Sequence, residues 1–136
     1  MARICWLLAM ALLLGACSDE GAVRLGPQQW DDTRFVVETR PSPVRHGMTE
    51  FIVIATRGSA RPGVGYVISL RTSPDAEWRQ AIQDGFTGVY RRAVWVEDPS
   101  NARLQVQVRK SGQAAQTGET ETMLTFPLQP VGIPAS

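Results

Sequence analysis

Few side chains in this sequence are suited to chemistry, and their spacing narrows what they can do. His46 is the single histidine of the 136 residues. Any Ser-His-Asp arrangement must therefore be built around it, and no Gly-x-Ser-x-Gly turn that would present a nucleophile occurs. The run His46-Gly47-Met48 sets an imidazole and a thioether two residues apart, a soft donor pair that suits Cu(I), with Met123 as a more distant third donor. The structural alternative is a turn histidine beside a glycine and a methionine leading into an apolar strand. Of the adjacent carboxylates, Asp31-Asp32 lies in a polar stretch and Glu97-Asp98 stands ahead of Pro99. Both read as solvated charges rather than as an acid–base pair. Gly63-Val64-Gly65 lacks the Lys-Ser/Thr ending of a phosphate loop and reads as the lead into a strand. The expectation is a non-enzyme without a cofactor.

Arg91 and Trp95 raise a different possibility, a surface for a partner. Both lie in the apolar stretch Val89 to Val96, where successive strand residues point to opposite faces. If Tyr90, Val94 and Val96 face inward, Trp95 stands beside Arg91 on the outer face, an aromatic next to a guanidinium, as in binding hot spots. If Val89, Ala93 and Trp95 form the core face, that surface disappears. The alternation serves both registers equally.

The elements that must position these residues are strands. Phe35-Val36-Val37 stops at Pro41-Ser42-Pro43, which cannot continue a ladder. Thr49 to Thr56 is rich in β-branched and aromatic residues and is bounded by Gly47 and Gly58, the pattern of a buried strand. Tyr66 to Leu70, Val89 to Val96, Leu104 to Val108 and Met123 to Leu128 add further strands, with Leu104, Val106 and Val108 alternating against Gln105, Gln107 and Arg109. Residues 73–84 are ambiguous. Pro74, Gly85 and the spacing of Trp78, Ala81 and Ile82 suit a short helix, whereas the Asp84-Gly85 turn and the alternation of Trp78, Gln80 and Ile82 suit a hairpin, which is the preferred reading. About seven short strands and no long helix predict an all-β, antiparallel immunoglobulin-like β-sandwich, without the cysteine and tryptophan landmarks of antibody domains.

The order of these features resembles the FixH/YtkA-like domain over residues 34–128. The resemblance rests on Arg40-Pro41-Ser42-Pro43-Val44-Arg45-His46-Gly47, on Glu50-Phe51-Ile52-Val53-Ile54, on Gly88-Val89-Tyr90-Arg91-Arg92-Ala93-Val94 and on Leu104-Gln105-Val106-Gln107-Val108. It implies an envelope module, in some members an accessory of copper handling or cytochrome-oxidase assembly. The Met-rich stretch that would favour copper is missing here.

The N-terminus gives an address. Arg3 is followed by an apolar run that ends at Gly15, too short for a permanent span, which takes about 20 apolar residues, and so it reads as a signal peptide. Leu14-Gly15-Ala16-Cys17 resembles the lipobox of bacterial lipoproteins, which implies cleavage before Cys17 and a diacylglycerol on its thiol. Two or three acyl chains anchor durably where one does not. Ser18, in place of the aspartate that retains such proteins at the inner membrane, favours the periplasmic face of the outer membrane.

Loss of Arg3 with the signal leaves 13 basic and 13 acidic residues. That balance excludes the basic excess expected of nucleic-acid binding, and with Cys5 removed and Cys17 lipidated the folded part has no disulfide. The expected organisation is a signal peptide at 1–16, a lipidated flexible tether at 17–32, the sandwich at 33–129 and a flexible tail at 130–136. The expected partners are the bilayer, through Cys17, and a periplasmic or membrane protein.

Overall fold

The computed structural model describes residues 23–116 and 118–128. The signal peptide, Cys17 and the tail at 130–136 lie outside the described residues. Ten strands and one short 3₁₀ turn make up the described chain: β1 (Arg24–Trp30), β2 (Thr33–Arg40), β3 (Gly47–Arg57), β4 (Arg61–Pro62), β5 (Tyr66–Arg71), β6 (Arg79–Gln80), β7 (Ile82–Gln83), β8 (Val89–Val96), β9 (Arg103–Lys110), the turn Gly112–Gln116, and β10 (Glu121–Pro127).

All strand pairs are antiparallel. One sheet runs β1-β2-β3-β8-β7, with β4 also paired to β3, and the other runs β10-β9-β5-β6. Without β1, β4 and β6 this is the four-on-three order of a constant-type immunoglobulin sandwich. Alternation supplies the core: Phe35 and Val37, Phe51, Val53 and Ala55, Ile68 and Leu70, and Leu104, Val106 and Val108 are buried from both sheets. Their outward neighbours are polar on β9, where Gln105, Gln107 and Arg109 face out, whereas β2, β3 and β5 also turn Val36, Ile52, Ile54 and Val67 outward.

The N-terminal boundary departs from expectation. Residues 24–30, read as part of the tether, form β1, and Leu25 and Trp30 are buried in the core. Leu25 and Trp30 are five apart, which would put them on opposite faces of a regular strand. A bulge restores the match, because the register with β2 shifts by one between Leu25, opposite Val37, and Gln28, opposite Phe35. Gly26, at φ +94°, makes the bulge possible. A Cβ there would come within 2.9 Å of the Phe126 ring, so glycine answers both a backbone and a packing demand.

Residues 73–84 form the preferred hairpin rather than a helix, in an unusual form. Arg79 and Gln80 pair with Leu70 and Ser69 in one sheet, Ala81 is buried and donates its N–H to Ile68 O, and Ile82 and Gln83 pair with Arg91 and Tyr90 in the other. The Asp84-Gly85 turn is closed by Asp84 N–H to Val89 O at 2.8 Å. The chain thus crosses between sheets at this side of the sandwich. On the other side β1 and β10 are laced by the Gln28 side-chain amide, which donates to Thr125 O.

The two ends differ. Val23, the β2–β3 and β8–β9 connections, residues 72–78 and Leu128 gather at one end, where Val23 N–H donates to Ser42 Oγ, Thr72 Oγ1 to Trp95 O and Leu128 N–H to Ala102 O. The opposite end carries Asp31-Asp32, Gly58 to Gly65, the β7–β8 turn and residues 111–120.

Candidate functional site

Trp95 stands on the outer face of β8. Tyr90, Val94 and Val96 are buried, and Trp95 is 50% exposed. The choice left open by the alternation thus falls to the outward register. Cross-strand pairing sets Met48 directly opposite Trp95. The edge of His46 meets the Trp95 ring, with centroids 5.2 Å apart and planes at 81°, a favourable T-shaped contact. The indole N–H donates to Glu97 Oε2 at 2.7 Å, and His46 Nε2 lies 3.8 Å from Glu97 Oε1. His46, Met48 and Trp95 are therefore brought together.

Arg91 shares that outer face but spends its charge elsewhere. Its Nη1 donates to Glu50 Oε1 at 3.3 Å and its Nε lies 3.6 Å from Asp84 Oδ2. Arg91, Ala93, Met48, Glu50, Arg92 and Ile82 line a shallow hollow of about 430 Å³. Met48 and Ile82 are, with Trp95, among the large exposed apolar side chains. They form an interrupted apolar stripe across β3, β8 and β7, with Ala93 and Arg91 between Trp95 and Ile82, and exposed apolar groups gathered on one face mark interaction sites.

Beside the stripe runs a larger groove of about 740 Å³, whose walls are residues 72–79 and the β8–β9 connection. Four successive β8 residues, Arg92 to Trp95, line it. Side chains of successive strand residues alternate between faces, so an unbroken run can line a groove only along the strand's backbone edge. Hydrogen-bond parity agrees. Gly88 O accepts from Ala55 in β3, whereas Val89 O accepts from Asp84 and Trp95 O from Thr72. The odd residues of β8 thus turn their peptide groups away from β3. Ile82 takes up Arg91, and the next partner in that register, Gln80 opposite Ala93, has left to pair with Ser69. Among the described residues no strand pairs with this edge beyond Arg91.

The groove's charges divide by whether they are satisfied. Glu77 pairs with Arg79 at 3.5 Å and Glu97 is engaged by Trp95 and His46. Asp98 accepts from the Asn101 amide at 2.8 Å and from Ser100 N–H at 3.0 Å, and these bonds hold its carboxyl below the usual carboxylate range. Arg92 and Arg103 have no hydrogen bond or ion pair with the described residues. The formal charge of the groove is balanced, three arginines against three carboxylates, but the charged side chains left without a partner among the described residues are these two arginines. Thr72 and Asn101 left no signal in the sequence because loop walls carry no periodicity, and Arg103 left none because it opens β9 in the outward phase. Arg92 alone had a signal, as a charged residue in phase with buried Tyr90 and Val94.

For metal chemistry the arrangement is thin. His46 and Met48 flank one indole, while Met123 lies in β10 of the other sheet. Among the described residues no group of three His, Cys, Asp or Glu could hold an ion. No family model, curated protein or solved structure matches the chain.

Proposed function

We propose that this chain is a lipid-anchored, non-catalytic docking module of the bacterial envelope, held through acylated Cys17 at the periplasmic face of the outer membrane. The lipobox-like Leu14-Gly15-Ala16-Cys17 supports the anchor, and Ser18 supports the choice of membrane. One observation carries the docking role: the exposed stripe of Trp95, Met48 and Ile82 on the outer face beside an open groove. Half-exposed tryptophan and methionine next to partly desolvated arginine are the residue types that dominate binding energy at interfaces. The FixH/YtkA-like resemblance points the same way, toward an accessory of an envelope assembly, with copper handling through His46 and Met48 as the variant reading.

The test is membrane fractionation with co-purification. Wild-type protein is expected in the membrane fraction, and Cys17→Ser is expected in the soluble fraction with unchanged circular dichroism. A membrane-bound Cys17→Ser protein would overturn the anchor. A stoichiometric partner that co-purifies with wild type and is lost with Trp95→Ala and Met48→Lys supports docking, whereas a partner indifferent to both changes sinks this surface as its site.

A further inference from the structure

The groove is bordered by peptide groups as well as side chains, and this specifies the kind of partner that fits. Resting on the docking reading above, we propose that the site takes an extended, acidic peptide segment that adds as a short strand to the edge of β8 at Ala93 and Trp95. The edge is open because the chain switches sheets at Ala81: Gln80 would face Ala93, but it pairs with Ser69. The Ala93 N–H and C=O and the Trp95 N–H are therefore aimed at the groove, while Trp95 O is already taken by the Thr72 hydroxyl at 2.7 Å. Native sheets protect or cover such edges because unpaired peptide groups recruit strands. Here the cover is partial, confined to that one carbonyl.

Strand addition supplies main-chain hydrogen bonds, and pockets beside the edge then select side chains. In a strand seated against β8, alternate side chains lie on the two faces, spaced about 7 Å apart. Those on the outer face meet Trp95 and, toward Arg91, Ile82, which favour apolar groups, with Met48 one strand farther on, in β3. Those on the other face meet Arg92 and Arg103. The acids of the groove already have donors in Arg79, Trp95, His46, Ser100 and Asn101, whereas Arg92 and Arg103 have no partner among the described residues, and an aspartate or glutamate of the segment can pair with them. A basic segment would leave both arginines facing its own charge.

The probe is a short synthetic peptide of alternating valine and threonine with aspartate at its centre, titrated against the mature chain by fluorescence anisotropy. Three controls go with it: the same peptide with lysine for aspartate, the same peptide N-methylated at alternate residues, and the protein variant Arg92→Gln/Arg103→Gln. Saturable binding of the acidic peptide, about tenfold weaker for the lysine and N-methyl peptides and for the double variant, and weakened by salt, supports the proposal. N-methylation leaves the protein untouched, so its effect cannot be confused with misfolding. Equal binding of methylated and unmethylated peptide overturns strand addition while leaving docking on the stripe intact. No binding of the acidic peptide, in a protein whose cellular partner is still lost with Trp95→Ala, overturns the acidic-strand assignment alone. No binding of the acidic peptide together with a cellular partner indifferent to Trp95→Ala and Met48→Lys defeats the docking reading too. A dimer in sedimentation that Ala93→Pro dissolves assigns the edge to a second copy. Amide protection of Ala93 and Trp95 that vanishes on deletion of residues 129–136 assigns it to the chain's own tail. Either result overturns the proposal.

Discussion

Trp30 and Trp95 are set among the same chemical parts, an indole N–H on a glutamate and a cationic or aromatic neighbour. Trp30 donates to Glu119 at 3.1 Å, lies 4.8 Å beneath Lys110 Nζ and 6.3 Å from the Tyr66 ring, and is buried. Around it the end of the sandwich is sealed. The Tyr66 hydroxyl lies 2.6 Å from Thr33 Oγ1 and 2.9 Å from Arg57, and Tyr66 holds the Arg57 guanidinium more firmly in its charged form. The Tyr90 hydroxyl donates to Gly63 O, and Gly88 sits so close to Ala55 O that a Cβ would clash at 2.5 Å. Trp95 has its glutamate and its His46 edge contact, but no layer covers it. The difference lies in the chain around the two rings. Trp30 sits where β1, β9 and the β9–β10 connection converge, and Trp95 sits where a strand has left the edge. One end uses aromatic chemistry to close the fold, and the other displays it.

The sharpest way to break this contrast is to remove each ring in turn. Trp30→Ala should cost about 3–5 kcal/mol, as large-to-small changes in cores do, and Trp95→Ala within about 1 kcal/mol, as surface changes do. Urea denaturation of both variants checks it, and equal losses would erase the distinction. A smaller effect of opposite sign is expected at Thr49, whose buried Oγ1 finds no partner among the described residues. Thr49→Val should raise stability by about 1 kcal/mol, because an unsatisfied buried hydroxyl is replaced by a group of the same shape.

The ends should also part company with pH. Burial raises the pKa of Tyr90 above the ordinary phenol value, so its contribution is complete below about pH 10 and is lost as pH rises through the folded value. Alkaline urea midpoints should fall more for wild type than for Tyr90→Phe. Asp98 is shifted down, chiefly by the Asn101 amide, so its contribution holds above the ordinary carboxylate value and fades as pH falls through the lower folded one. Asn101→Ala should move the Asp98 titration, followed by NMR, back toward the ordinary value. The smallest expected effect concerns copper. With two soft donors beside Trp95, a Cu(I) titration should show no tighter binding in wild type than in His46→Ala, and a tighter wild-type site would make the open end a metal centre.

How much of this could be read from the residues follows from periodicity. β9 was legible because one-sided burial writes a period of two into the sequence, β3 because a β-branched and aromatic run marks a buried strand, and Val89 to Val96 matches β8 at both ends. β1 was not, because the Gly26-Pro27 bulge breaks the phase between Leu25 and Trp30. The face of Trp95 was undecidable from β8 alone, since both registers offer three apolar residues. Long-range partners decide it: Arg91 reaches Glu50 and Asp84 on the outer side, while Tyr90 reaches Gly63 within. Arg92 keeps the inward phase because the edge beside it is open. The groove itself left no trace in sequence, being a product of the switch at Ala81 and of two loops.

The incorporation of β1 into the sandwich has a consequence for how an anchored molecule would search for its partner. Between Cys17 and Val23 lie six Cα–Cα steps, at most about 20 Å of chain, in place of the long leash expected from residues 17–32. Val23 leaves the fold at the end that bears Trp95 and the groove. A molecule so tethered meets only what lies within a thin layer above the bilayer, and there a short linker confers an effective concentration on the order of millimolar. In that layer a weak strand contact suffices, and a partner extending far from the membrane would have to return to it to be bound.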